Sequence, residues 1–234
     1  GAMATSRLRS KKLSEPTIAR LPVYQRIAEG WLQRGVAKID SKQIGELAGV
    51  TATTVRRDLA GLGSFGTRGA GYDVSVLIER IAEALGHDRL YDVVVVGIGN
   101  LGRALVNSSN FLIRGARLAA LYDVDPNVVG HEIAGHVVRD LNDEIPPATV
   151  GVICTPASAA QDVADRLVEA NIHAILNFAP QVVAVPLGTA VHYVDFSIEL
   201  QILMYHLING TGPLGGGVLH SLGIASSSPM RGSQ

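Results

Sequence analysis

Three glycines and one acid carry the plainest chemistry in this chain. Gly97, Gly99 and Gly102 form a Gly-x-Gly-x-x-Gly run inside YDVVVVGIGNLGRALVNSSNFLIRGARLAALYDVD, residues 91–125. Gly97 permits a sharp turn after a strand. Gly99, lacking Cβ, lets a pyrophosphate come up to the backbone, and Gly102 lets a helix lie close to the sheet. Ile98, Asn100 and Leu101 complete the turn, where unpaired N–H groups and the positive end of a helix suit phosphate oxygens. Asp123 follows 21 residues after Gly102, with Val124 beside it. A carboxylate there accepts ribose hydroxyls and repels a 2′-phosphate, so the pattern favours NAD(H) over NADP(H). An ordinary tight βα turn would also use glycines, but would not need the strand before them and the acid after them.

A second group of residues has a different use. Thr51, Thr53, Arg56 and Arg57 lie on a short helical segment whose other stripe is Ala52, Val55, Leu59 and Leu62. A helix that buries Val and Leu and shows Thr and Arg suits the major groove of DNA. Ser64, Thr67 and Arg68 follow in GSFGTRGAGY, with four glycines in residues 63–71. This stretch predicts a hairpin-like wing with Arg68 at its tip, placed to enter a minor groove. An exposed basic helix on any small bundle is the plainer alternative.

The remaining polar residues offer little chemistry. One cysteine and seven scattered histidines give no metal-ligand spacing. Residues 73–234 contain no lysine, so a Tyr-x-x-x-Lys hydride-transfer set is excluded. Asp195 and Tyr193 stay open as a hidden acid–base pair. An NAD-dependent dehydrogenase with an unrelated basic N-terminal module therefore remains an alternative, as does a scaffold that binds a nucleotide or coenzyme A. Cys154, alone and inside an apolar run, excludes an intramolecular disulfide and fits a reducing cytoplasm. No apolar run reaches the ~18 residues of a membrane span, and the polar, basic N-terminus carries no secretory signal.

Residues 1–72 carry 12 Lys/Arg and 5 Asp/Glu, while residues 73–234 carry 8 and 16. A basic module on an acidic remainder points to nucleic acid for the first part. We expect a winged helix-turn-helix domain with a linker helix over 4–85, beginning with a flexible basic arm. Its first helix opens at Pro16, its second is capped by Ser41 with Ile44, Leu47 and Ala48 inward, and its third runs from Ala52 to Leu62 behind Thr51. We expect a Rossmann-type doubly wound parallel sheet with a C-terminal dimerisation helix over 86–210, and a disordered tail over 211–234. Thr155 is expected to cap a helix with Pro156 in its first turn, forming a second lip of the ligand crevice. Asn177, Phe178 and Ala179 turn away from a further strand on the same edge. The last helix, FSIELQILMYHLIN, is apolar around most of its circumference and demands enclosure. A second copy of the chain with exchanged terminal helices is the simplest cover.

From about Pro16 to Asn209 the chain resembles the Rex family of redox-sensing transcriptional repressors. The most specific pieces are the Gly63–Tyr72 run, Gly97-x-Gly99-Asn100-Leu101-Gly102, the segment Ile175–Pro180 and Val194-Asp195. The resemblance implies a homodimer that binds a palindromic double-stranded operator, is released by NADH, and tolerates NAD⁺. It implies that Arg56 and Arg57 read the major groove and Arg68 the minor groove. The family often has Lys where Arg57 stands, which leaves the preferred half-site open to differ. By the same resemblance, Asp195 pairs with Arg26 in the DNA-competent state, and Phe196 reaches toward the partner's nicotinamide. One position departs. Ser108 stands where the family carries the tyrosine that receives the acid after NADH binds, which predicts an NADH-bound state that is less favoured or differently wired.

Overall fold

The computed structural model describes residues 12–67, 69–87, 89–108 and 115–209. Residues 4–11 of the expected arm, Arg68 and the expected tail lie outside the described residues. Backbone contacts divide the chain into two units between Gly86 and His87.

The first unit is built on α1 (Glu15–Gln33), β1 (Lys38–Ile39), α2 (Ser41–Ala48), α3 (Ala52–Ala60), β2 (Tyr72–Asp73) and α4 (Val74–Ala84). Pro16 sits in the first turn of α1, where its missing N–H costs nothing. Asp40, not Ser41, caps α2. Its Oδ1 accepts from the Gln43 N–H at 2.8 Å while the Gln43 side chain accepts from the Asp40 N–H at 2.9 Å. This reciprocal pair draws Ser41 into the helix. Gly49 closes α2 in the left-handed region, and Thr51 caps α3 by accepting from the Thr54 N–H at 3.1 Å. Leu47 is 46% exposed rather than inward, because Ile44 and Ala48 already fill the buried stripe at i and i+4. α3 stops at Ala60, two residues short of the expected Leu62, which packs half-buried in the following turn. β1 and β2 pair antiparallel, Ile39 opposite Tyr72.

The apolar core of this unit, with Leu21, Tyr24, Ile44, Val55, Leu59 and Leu77 at its centre, encloses a charged pair, Arg20 and Asp58. Asp58 of α3 is 2% exposed. Its Oδ1 accepts from Thr17 Oγ1 and Arg20 Nη2, both at 2.9 Å; its Oδ2 accepts from Arg20 Nε and Tyr24 Oη, both at 2.7 Å. Four donors from α1 thus hold one carboxylate of α3. The Tyr24 phenol is pushed up from its ordinary value by burial and by its bond to Asp58, and the same carboxylate raises Arg20.

The second unit is a seven-stranded sheet. Its strands are β3 (Tyr91–Val96), β4 (Ala116–Asp123), β5 (Glu132–Ile133), β6 (His136–Asp140), β7 (Val150–Ile153), β8 (Ala174–Asn177) and β9 (Ala190–Tyr193). They lie in the order β5-β6-β4-β3-β7-β8-β9, all neighbours parallel except the β5–β6 hairpin. Without β5 this is the strand order of the doubly wound dinucleotide folds. Alternate residues of β3 feed two cores. Val94 and Val96 pack with Val163 and Leu167 of α6 (Ala160–Glu169), and Val93 and Val95 with Val106 of α5 (Asn100–Asn107). Around Val137, β5 and β6 together make a hairpin edge. Thr155 does not cap a helix. Pro156 leads into a 3₁₀ turn, Ala157–Ala159, and α6 begins only at Ala160.

α7 (Phe196–Asn209) buries none of its residues. Phe196 is 83% exposed and Ile208 81%, with Leu200, Leu203, Tyr205 and Leu207 also exposed between them. Among the described residues no helix is long and apolar enough to cross a membrane.

Removing the Asp58 carboxylate leaves the Arg20 guanidinium buried without its counter-charge. Asp58→Ala is expected to cost about 3–5 kcal/mol of stability, read from the midpoint of urea unfolding followed by Trp31 fluorescence.

Candidate functional site

Parallel strands put every carboxyl end on one edge of the second unit, and the expected ligand residues follow those ends. Gly97 follows β3, Asp123 ends β4, Thr155 follows β7, Phe178 follows β8 and Asp195 follows β9. The order reverses beside β3, between β4 and β7, which is where open α/β sheets leave a crevice.

The glycine turn is shaped by what has no room. A Cβ on Gly102 would stand 1.9 Å from the Gly97 carbonyl oxygen, so α5 can start this close to β3 only without a side chain there. Gly97 has φ +97°, and a Cβ on it would strike the Cys154 carbonyl and the Thr155 N within 2.8 Å. Gly99 is the opposite case, with nothing within 4 Å of a built Cβ. It caps α5 with no side-chain bond, so backbone donors of the first turn face open space. Asn100 and Leu101 are exposed beside it, whereas Ile98 is fully buried.

Asp123 closes the turn on its other side. Its Oδ2 accepts from the Ile98 N–H at 2.7 Å, and its Oδ1 from the N–H groups of Val124 and Asp125 at 2.7 and 2.9 Å. Ile98 therefore anchors the acid instead of offering its N–H to a phosphate. Val124 is exposed next to it. The second lip carries Thr155, whose buried Oγ1 has no hydrogen-bond partner, and the exposed Pro156. Such an orphan hydroxyl costs ~1–3 kcal/mol unless a ligand or water meets it. Bare backbone at Gly99, free first-turn donors, a ribose-height acid and an orphan hydroxyl fit a dinucleotide.

Asn177 and Ala179 do something the sequence did not announce. Asn177 is fully buried; its Nδ2 donates to the Gln181 carbonyl at 2.9 Å and its Oδ1 accepts from the Ala179 N–H at 2.8 Å. Both residues pin the turn that presents Phe178. Asp195 Oδ1 accepts from the Ser197 N–H at 2.9 Å and from Ser197 Oγ at 2.6 Å, starting α7. The Ser197 hydroxyl and amide hold its carboxyl below the usual carboxylate range. Tyr193 Oη accepts from the Val183 N–H at 3.1 Å. The two groups left open as an acid–base pair are thus each engaged in shaping the chain. Burial pushes the Cys154 thiol up to about 12, so it is no nucleophile near neutrality.

In the first unit, Thr51, Thr53, Arg56 and Arg57 lie on the exposed side of α3 or at its cap. Arg56 is oriented by two acceptors, Ser41 Oγ at 3.1 Å and Thr53 Oγ1 at 3.2 Å. Ser64 and Thr67 are exposed on the glycine-rich loop. The loop closes through the Thr67 N–H to the Gly71 carbonyl at 3.2 Å. Its approach depends on Gly66, whose Cβ would meet the Tyr72 ring at 2.6 Å. Arg26 is exposed on α1. Asp58 was not singled out from the sequence, although an acid on the stripe of Val55 and Leu59 was the available signal.

Family models match two segments of the chain: "CoA binding domain" over residues 88–181 and "Putative DNA-binding protein N-terminus" over 12–60. A redox-sensing transcriptional repressor Rex of Streptomyces coelicolor is 47% identical over 87% of this chain and 83% of its own length. That of Syntrophobacter fumaroxidans is 41% identical over 86% and 98%. The crystal structure of RSP with β-NAD⁺ and operator DNA superposes with a TM-score of 0.77 at 35% identity, covering 86% of this chain and 94% of that one. RSP with β-NADH gives 0.74 at 33%, covering 86% and 96%.

The two glycines separate a fold requirement from a ligand requirement. Gly102→Ala is expected to lower the melting temperature of the second unit. Gly99→Ala should leave melting unchanged yet weaken NADH binding by roughly tenfold, about 1.4 kcal/mol, as read by fluorescence titration.

Proposed function

The chain belongs to the Rex family of redox-sensing transcriptional repressors, and on that footing we propose how its own residues carry out operator binding and redox sensing. It is a regulator, not an enzyme. The observation that carries the reading is the open backbone at Gly99 facing Asp123, in a chain that also displays Arg56 and Arg57 on an exposed helix.

The dinucleotide supplies a nicotinamide ring that is neutral when reduced and cationic when oxidised. Gly99 leaves space for its pyrophosphate, and the first-turn donors around Asn100, Leu101 and Gly102 face the phosphates. Asp123 takes the ribose hydroxyls and Val124 flanks the adenosine. Thr155 and Pro156 form the opposite lip, with Phe178 beyond them. Ile98, Asn177 and Ala179 serve the site by shaping it. A pocket of apolar surface receives the neutral ring more readily than the cationic one, which favours NADH over NAD⁺.

The apolar α7 supplies the second half of the reading. A helix this exposed and apolar around most of its circumference is covered by a second copy of the chain, with terminal helices exchanged. In the dimer Phe196 reaches the partner's nicotinamide, and Asp195 engages Arg26 while operator is bound. Closure of the dimer by NADH moves the two α3 helices out of step with successive major grooves, which lie ~34 Å apart. Ser108, shorter than the family's tyrosine, weakens the hold of that closed state. Arg68, with Ser64 and Thr67, completes the wing contact, and operator binding fits a protein of the cytoplasm.

Two outcomes are expected. With a duplex selected by this chain from a random-sequence pool, NADH should lower DNA affinity at fixed salt while NAD⁺ leaves it nearly unchanged; equal effects would overturn the sensor reading. In sedimentation at micromolar concentration the chain should run as a dimer, and Leu203→Glu combined with Leu207→Glu as a monomer.

A further inference from the structure

One face of the first unit carries two lysines to which neither the reading of α3 nor the wing gives a role. An open groove of about 680 Å³ runs between the start of α2, the flank of α3 and the glycine-rich loop. Arg56, Lys38 and Lys42 all line it. Lys38 opens β1 and Lys42 lies in the first turn of α2, so backbone structure fixes where both stems begin. Both lysines are exposed, and neither makes an ion pair among the described residues. The carboxylate nearest in sequence, Asp40, also lines the groove, but its Oδ1 is committed to the Gln43 N–H.

Arg56 links α3 to α2. Its Nη1 donates to Ser41 Oγ at 3.1 Å, which brings the guanidinium of α3 to the first turn of α2, one residue from Lys42. Cations gathered like this repel one another. The arrangement is favourable once an anion with charges spaced along a line lies between them. A sugar–phosphate backbone is such an anion, and each phosphate neutralised releases condensed counterions.

We infer that Lys38 and Lys42 form a phosphate clamp on the α2 side of the groove, gripping the backbone of double-stranded DNA while α3 reads base edges. The inference rests on the operator-binding reading above and adds two contacts to it. Phosphates carry no sequence information, so the clamp sets affinity and register without altering which duplex is preferred.

The clamp is tested by the salt dependence of binding, with a duplex selected by the wild-type chain from a random pool and an unrelated duplex of equal length. For a dimer, Lys42→Ala should reduce the slope of log K against log salt by about 1.8, two contacts at ~0.9 each, and Lys38→Ala by a similar amount. Between 50 and 200 mM salt the wild type should lose roughly tenfold more affinity than either variant. Both duplexes should weaken together, and NADH affinity should not change. Arg57→Ala, by contrast, should shift the preferred sequence. If the wild type selects no duplex, the operator-binding reading itself fails. If the wild type binds DNA but the lysine variants keep its slope, or weaken only the selected duplex, the clamp is wrong and the operator reading stands.

Discussion

The second unit depends on a distance too short for a carbon atom. The Gly97 carbonyl oxygen and the start of α5 approach so closely that Gly102 has no room for a Cβ, and Gly97 itself is pressed against the Cys154 carbonyl. That contact fixes the angle at which α5 leaves β3, and therefore the direction of its first-turn donors. With nothing near Gly99, the same geometry that closes the turn on the sheet side opens it on the solvent side. Asp123 then ties the turn to the neighbouring strand through the Ile98 N–H. The open side of the turn is therefore backbone, and the charged side chain that closes it is Asp123.

The first unit solves a different problem. The nine-residue helix α3 is too short to be stable by itself. Val55 and Leu59 bury its apolar stripe, and Asp58 adds a polar anchor that accepts four hydrogen bonds from α1. Apolar packing permits small rotations about the helix axis; a bidentate arginine on a buried carboxylate permits far fewer. The exposed face that carries Thr53, Arg56 and Arg57 is thereby held at one roll angle. In this unit the buried charge gives orientation more than net stability, since a well-packed apolar replacement could be equally stable.

α7 shows what one chain leaves unfinished. Its apolar side chains cover most of the circumference, and none is buried. No single neighbouring surface of the same chain could bury all of them, because a helix lying on a surface always keeps one side in water. The proposed second copy would supply that enclosure.

How much of this was legible beforehand depends on how local each feature is. The glycine spacing, the valine run of β3, the caps at Thr51 and Gly49 and the apolar circumference of α7 are relations among residues a few positions apart, and the sequence displays them directly. The cap of α2 was misread by one residue, since Asp40 and Ser41 are both good caps and only the return bond from Gln43 chooses between them. The burial of Asp58 among donors 34 to 41 residues away was not legible, because no local pattern records which distant helix supplies the partners. Nor was the role of Asn177, whose two bonds fall within four residues but depend on the turn already being folded. Sequence alone determined the kinds of element, their order and the chemistry each could offer. The tertiary structure decided which polar groups are spent holding the chain and which remain open to a ligand, because burial and hydrogen-bond geometry exist only once distant segments have met.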